Sequence, residues 1–479
     1  MRSKILLAVL ASTMVAGFST AVSSQPINLE QAIRAVCANS DSVKRMRETV
    51  KKSEQMVREK WSNALPVISA NAYAARSRGS LFGGSSGSGQ TSRSLAKESA
   101  SRQQSSYVTW QDLGAIFEDF SKPQTTTIYT GGLSLSQPIY TFGKVGTAIK
   151  VARQFEQAVK YSFQRNLQTL QLQAFDAFSQ AFLAERAKAI AERSLARKRE
   201  RYDFLERNFK LGSGSKAQVL ALKADVAGQN TAVLIAQRDA RTTHMYLNAL
   251  MGRPIADSSM FDTTASLNAL LSVSIPPQDK IIAIAIANRG DVKALDLFAQ
   301  SNEGGAKIYR SMYLPSIAGM GSLGYSKYES SAKTFEMDWK SNWTLGIGVQ
   351  WTLFDGFANS AKAVQFKSDA RKSEIAKEEL AKYIEIEIRT SLTECDAADS
   401  NVSASKEMYA AALESYDLTN SNFKQGSGQF ADLQLADEQL MQAELGLVNA
   451  RYRQLRSRAS LQVAMGNDII ANNGNEKNN

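Results

Sequence analysis

The chain has 479 residues, 43% of them hydrophobic and 22% charged, with 57 Lys and Arg against 46 Asp and Glu, a formal net charge of +11, one His and two Cys. A single histidine is poor equipment for general acid–base or metal chemistry, and two cysteines exclude a disulfide scaffold. The cations alternate with acids along helical stretches, which marks solvated helix faces rather than a nucleic-acid footprint.

Residues 1–23 read as a secretory signal peptide. Arg2 and Lys4 form a basic start, Ile5 to Phe18 is almost wholly apolar, and Ala21 and Ser23 supply the small residues of a cleavage site. Loss of Arg2 and Lys4 takes the charge to +9. No Cys follows the cleavage region, so lipid attachment is not expected there. No later run approaches the roughly 20 apolar residues that a helical span needs, so any part crossing a bilayer must consist of strands.

From residue 24 onward the chain repeats itself. Tyr129, Leu133, Leu135, Tyr140, Phe209, Gly212 and Gly214 recur 214 residues later as Trp343, Ile347, Val349, Phe354, Phe423, Gly426 and Gly428. Upstream the offset is 249, with Leu65-Pro66 matching Leu314-Pro315, so the first half holds 35 extra residues between about 76 and 129. That segment is rich in Gly, Ser and polar residues, which reads as an exposed loop insertion.

The first repeat, 24–255, is expected to run as a helix over 28–62, a strand over 67–75, the Gly/Ser-rich loop over 76–126, a strand over 127–140, a long helix over 144–210, a tip turn at 211–215 and a return helix over 215–251. A linker follows at 256–278. The second repeat, 279–466, has a helix over 279–312, a strand over 316–325, a loop over 326–341, a strand over 342–354, a long helix over 358–424, a tip turn at 425–428 and a return helix over 429–465. The tail, 467–479, is polar and expected to be disordered.

The strand sequences alternate. Trp343, Leu345, Ile347, Val349, Trp351 and Leu353 point one way, and Asn342, Thr344, Gly346, Gly348, Gln350 and Thr352 the other. Lipid-facing strands look like this, with Trp343 and Trp351 set for the two headgroup levels. Its partner carries Tyr129, Leu133, Leu135 and Tyr140, and Phe354 closes the second strand. Four strands cannot close a barrel, and an open edge in lipid leaves backbone groups unpaired at several kcal/mol apiece. Several copies must therefore share one barrel.

A helix of about 65 residues rises about 100 Å, and a return helix of about 37 residues about 55 Å. Leu433, Ala436, Leu440, Ala443, Leu447, Ala450, Leu461 and Ala464 keep 3-4 spacing, with Val219, Leu222, Val226, Gln229, Val233, Ala236, Leu247 and Leu250 as first-half counterparts. This is a heptad seam, and alanine in it permits close approach. A pore-free coiled-coil scaffold in the periplasm or on the cell surface would explain the seam equally well; the alternating strands it would not explain. Between the helices lie the turns NFKLGSGS and NFKQGSGQ, in which Gly212, Gly214, Gly426 and Gly428 can take positive φ and Ser213 or Ser215 can cap the next helix. Ser427 is the counterpart of Ser213. Cys37 and Cys395 are read as buried free thiols, with a disulfide as the alternative. His244 has no companion at ligand spacing.

The duplicated plan, the strand-end motifs QPIYTFG and WTLFDGF and the tip phrase together resemble the TolC family of outer-membrane efflux channels. In the tip phrase Phe423, Gly426, Asp432, Leu433 and Ala436 match the family pattern; in the first half Phe209, Gly212, Val219 and Leu220 do, with Gln218 where an Asp is often found. The resemblance implies a mainly α chain with membrane β. Long helical hairpins would form a trimeric α-barrel, with four strands per chain in a shared twelve-stranded β-barrel. It implies a homotrimer in outer-membrane lipid reaching into the periplasm, with no cofactor and no catalytic site, whose tip docks a periplasmic adaptor beside an inner-membrane pump. Asp432 and Gln218 would line the pore constriction, and Gly428 stands where some relatives carry a basic lock residue.

Overall fold

The computed structural model describes residues 27–79, 124–256, 277–330 and 337–470. The signal peptide, most of the Gly/Ser-rich insertion and of the linker, part of the second loop, and the tail from 471 on lie outside the described residues. The elements in chain order are α1 (Leu29–Asn39), α2 (Asp41–Ser62), β1 (Val67–Gly79), β2 (Gln124–Tyr140), α3 (Lys144–Lys210), α4 (Lys216–Leu250), α5 (Gln278–Asn288), α6 (Gly290–Ser311), β3 (Ser316–Ser330), β4 (Met337–Gln350), α7 (Ala358–Lys424) and α8 (Phe430–Ala464). They fall into two compact units, one drawn from the described residues of 1–48, 161–293 and 378–479, the other from those of 49–160 and 294–377.

In the second unit the four strands form one antiparallel sheet in the order β1-β2-β3-β4. Each strand exceeds its expected range at one end: β1 reaches Gly79, β2 starts at Gln124, β3 reaches Ser330 and β4 starts at Met337. The added residues of β1 and β2 are polar, and those of β3 and β4 set Tyr328, Met337 and Trp339 singly among polar neighbours, so no sustained apolar alternation marks them. In the other direction β4 stops at Gln350, which leaves Trp351 and Phe354 beyond the strand in which they were expected. The Trp351 indole donates instead to the carbonyl of Tyr313 at 2.8 Å, and Phe354 lies edge-on to Phe357. Helices α6, α3 and α7 pack in the same unit, where a side chain at Gly304 or Gly305 would meet Val151 or Phe366 at 2.3 and 2.6 Å. Phe155 and Phe298, 5.7 Å apart, fill the α3–α6 contact.

The first unit is helical. Its main core gathers Leu29, Ile33 and Val36 of α1, Phe175 and Phe178 of α3, Leu247 of α4 and Leu455 of α8. A second core joins Ile281 and Ala285 of α5, Ile384 and Ile388 of α7, and Leu461 of α8. The helices expected over 28–62 and 279–312 are each two. Ser40 (ψ 138°) and Arg289 (ψ 128°) leave helical geometry for a single residue. Arg289 then turns its buried guanidinium onto Asp291 at 2.8 Å, onto Glu387, and onto the Ala464 carbonyl at the end of α8. Burial opposes the charge on Asp291, yet the hydrogen bonds and charge of Arg289, with Arg165 nearby, hold its carboxyl below the ordinary range.

The long helices α3 and α7 hold 67 residues each. Neither contains Pro, and their only Gly is Gly146 in the first turn of α3, so nothing interrupts the hydrogen-bond ladder. The seam residues Leu433, Ala436, Leu440, Ala443, Ala450, Leu461 and Ala464 are buried, while Leu447 is half-buried. Contrary to the reading that no later stretch suffices to cross a bilayer, α4 is long and apolar enough by length and composition. Its apolar residues divide between the buried Leu222 and Val233 and an outward set of Leu220, Leu234 and Ile235, so they form two faces and no single run. Cys37 and Cys395 are free thiols. Burial and then the Asp468 charge push the Cys37 thiol up to about 11.

Candidate functional site

Strand pairing sorts the sheet into two faces. Residues opposite one another share a face, and two rows cross all four strands: Ile68, Leu135, Gly321 and Leu345 in one, Ala70, Leu133, Leu323 and Trp343 in the next. Among the described residues nothing covers this face: Leu345 is 78% exposed and Trp343 76%. Ile347 and Val349 continue it, and Tyr129 lies on it opposite Ala74 and Lys327. Beyond Tyr129 the face turns charged, with Arg76 across from Thr127 and Lys327 bonded to Glu329 at 2.6 Å. Because β4 begins early, Trp343 sits in mid-sheet. The tryptophan near the charged end is Trp339, 58% exposed, which the sequence reading missed because Asp338, Lys340 and Ser341 around it disguise the strand. Tyr140 follows a register shift after Pro138 and is reached by that irregularity.

The opposite face is small and polar. Ser69, Ser134, Ser322 and Thr344 form one row and Asn71, Gly132, Gly324 and Asn342 another, with the Ser69 and Ser134 hydroxyls 2.7 Å apart. Val67, Tyr73, Ile128, Met320 and Tyr328 are its large members. A sheet with a bare apolar band on one side and hydroxyls on the other is built to part hydrocarbon from water.

In the first unit, the two tip turns are the same structure twice. At the end of α3, Gly212 (φ 82°) donates to the Phe209 carbonyl and Ser213 to that of Asn208, each at 3.0 Å. At the end of α7, Gly426 (φ 77°) and Ser427 donate likewise to Phe423 and Asn422. These paired bonds close the helix end with a left-handed residue. Gly214 and Gly428 do not take positive φ. They are glycines because a Cβ would lie 2.7 Å from Phe209 N and 2.8 Å from Phe423 N. Nor do the serines cap the following helix: the Ser213 and Ser427 hydroxyls donate back to Asn208 and Asn422 at 3.1 Å, and the Ser215 side chain makes no cap bond. Gly214→Ala and Gly428→Ala are each expected to cost about 1–3 kcal/mol through overpacking, read as a lower thermal midpoint and faster proteolysis at the mutated turn.

Asp432 lies exposed in the first turn of α8, where the helix dipole favours a carboxylate. Gln218 occupies the matching place in α4, also exposed, and Val219 is half-buried beside Leu220. Leu433 is fully buried under Tyr416, and Phe423 packs between Phe204 and Phe430. One group escaped the sequence reading. Asp437, 1% exposed, accepts from Arg197 Nε at 2.6 Å and from the buried Arg201, whose other nitrogen reaches the Leu433 carbonyl. Arg197 also lies 5.4 Å over the Tyr416 ring, so the cluster ties α3 to both helices of the second hairpin. Lys198 bonds Asp225 of α4 at 2.8 Å. His244 of α4 faces Glu185 of α3 at 3.3 Å; burial outweighs the carboxylate and pushes its imidazole below the ordinary range.

A family model described as outer membrane efflux protein matches residues 32–253 and 281–467. Among curated proteins, the chain is 21% identical over 326 residues to the outer membrane efflux protein BepC of Brucella suis biovar 1, covering 68% of this chain and 69% of that one. Among solved structures it resembles the CmeC outer membrane channel of Campylobacter jejuni, with TM-score 0.71, 13% identity, and 91% of this chain and 85% of that one covered. It also resembles the outer membrane protein VceC of Vibrio cholerae, with TM-score 0.68, 14% identity, and 92% and 97% covered.

Proposed function

This chain belongs to the outer membrane efflux protein family, an outer-membrane protein and not an enzyme, and on that premise we propose that three copies form the passive exit duct of a tripartite efflux pump or type I secretion system. The observation that carries the reading is the four-stranded sheet, with apolar rows across its full width and the outer edges of β1 and β4 unpaired among the described residues. In a bilayer those edges need partners, and twelve strands from three copies fall within the range in which barrels close. The helical hairpins would then stand around a common axis, with the tip turns at the periplasmic end. An adaptor would dock there, against exposed residues such as Gly212, Ser213, Leu220 and Ser427, and open the passage.

In that arrangement Asp432 recurs three times at the narrowest level, and a ring of like charge in a low-dielectric neck attracts cations. Trivalent cations added on the periplasmic side of planar bilayers are expected to block the channel. Asp432→Ala is expected to raise the blocking concentration at least about tenfold, a change of about 1.4 kcal/mol. Unchanged block would remove Asp432 from the constriction. The wider reading is tested by the mass and conductance of the detergent-purified protein: three chains and ion currents are expected, and a non-conducting single chain would overturn it.

A further inference from the structure

The apolar face of the sheet ends in a fixed order of chemistry. Outward from the row of Ile317 and Val349, and past that of Leu323 and Trp343, come Tyr325, then Tyr129 with Lys327, then Arg76 with Thr127 and Glu329, and last Arg78 with Thr125. From Ile317 a strand rises about 34 Å to Lys327 and about 41 Å to Glu329. Tilted by about 40°, it reaches heights of about 26 and 31 Å, against an apolar band about 25 Å tall. The basic rows therefore stand where hydrocarbon gives way to head groups.

Pairing decides which charges at that level stay open. Lys327 bonds Glu329 at 2.6 Å, and the irregularity after Ser326 leaves Asp338 and Trp339 in the bulge opposite it, so its charge is answered within the sheet. Arg76 and Arg78 are different. Both are exposed, and among the described residues no carboxylate pairs with either. They alternate along β1 and so share one face about 7 Å apart. Each lies directly across from a threonine, Arg76 from Thr127 and Arg78 from Thr125, at the roughly 5 Å separation of cross-strand neighbours. Two guanidinium forks flanked by two hydroxyls make a cradle for phosphate, since each fork takes two oxygens at once.

We propose that Arg76 and Arg78, with Thr127 and Thr125 beside them, bind the phosphate of a phosphorylated saccharide lipid packed against the barrel in the outer leaflet. This rests on the barrel proposed above, which sets the apolar face in lipid and the hairpin ends on the far side from the helices. The order of the rows names the class of lipid. Tyr325, Tyr129 and Trp339 stand between the apolar rows and the arginines, which matches acyl chains, then a sugar, then a phosphate carried on that sugar. A glycerophospholipid carries its phosphate close to the acyl boundary, at the level of the aromatic rings and below the arginines.

The test titrates the full chain, purified free of lipid in a non-ionic detergent, with three lipids: lipid A bearing two phosphates, the same lipid without phosphate, and phosphatidylglycerol. Bound lipid is counted by native mass spectrometry. Two-phosphate lipid A is expected to bind at least about tenfold more tightly than either of the others, as charge-assisted bonds to phosphate require. Arg76→Gln with Arg78→Gln is expected to erase that preference. Lys340→Gln, across from Ser326 on the opposite face, is expected to keep it. A conducting oligomer whose preference survives the double substitution, or that takes all three lipids alike, would overturn the inference and leave the duct standing. Phosphatidylglycerol bound as tightly as two-phosphate lipid A would overturn the assignment to a saccharide lipid. A single non-conducting chain would overturn the duct and the inference together.

Discussion

Asp437→Ala is expected to destabilise the tip hairpins by about 3–5 kcal/mol, the cost of leaving buried cations without their counter-ion. Asp437 is 1% exposed, Arg201 6% and Arg197 22% at their side chains, so water cannot replace the lost carboxylate. The effect should focus where α3 meets α8. Limited proteolysis between about 190 and 225 and between 405 and 445 should accelerate, while cutting near the sheet stays unchanged. Replacing Asp437, Arg197 and Arg201 together with leucine or methionine is expected to recover most of the loss, since an apolar trio of similar volume needs no pairing. A triple variant as unstable as Asp437→Ala would mean that the cluster contributes through shape and not through charge.

Leu345→Arg is the second large expectation. In mid-bilayer an arginine on the lipid side of a barrel strand costs about 2–4 kcal/mol, and this cost recurs in every copy. Leu345 lies in the apolar row with Ile68 and Leu135, one position from Thr344, which lies in the hydroxyl row with Ser69 and Ser134. Leu345→Arg should therefore abolish the folded, membrane-inserted assembly, whereas Thr344→Arg should insert and shift ion selectivity toward anions. Equal tolerance of both, judged by membrane fractionation and single-channel recording, would show that the sheet faces have been assigned the wrong way round.

Much of this was legible in the sequence because it is periodic. The 214-residue offset, the strict alternation from Asn342 to Leu353 and the Gly-Ser-Gly phrases all repeat, and repetition separates signal from chance. Where the chain departs from periodicity the sequence is silent. Ser40 breaks a helix by one ψ rotation without Gly or Pro to mark the place, and at Arg289 the one mark is the following Gly290. Trp339 is hidden because Asp338, Lys340 and Ser341 around it break the apolar pattern at the far end of β4. Asp437 was passed over because its partners lie 240 and 236 positions away. The one available hint was a run of cations, Arg197 to Arg201, with too few acids of its own. The second tip glycines show another limit: Gly214 and Gly428 look like turn formers, yet the structure needs them for their missing methyl group.

The parity of the strand count has its own consequence. With β1 to β4 all antiparallel, the first and last strands of a copy run in opposite directions, so β4 of one copy set beside β1 of another continues the up–down alternation unbroken. An odd number would force a parallel pair at every junction, with its slanted hydrogen bonds. By duplicating a two-strand unit the gene made a protomer that can join others around a circle of any membership. How many join is then left to the curvature of the sheet.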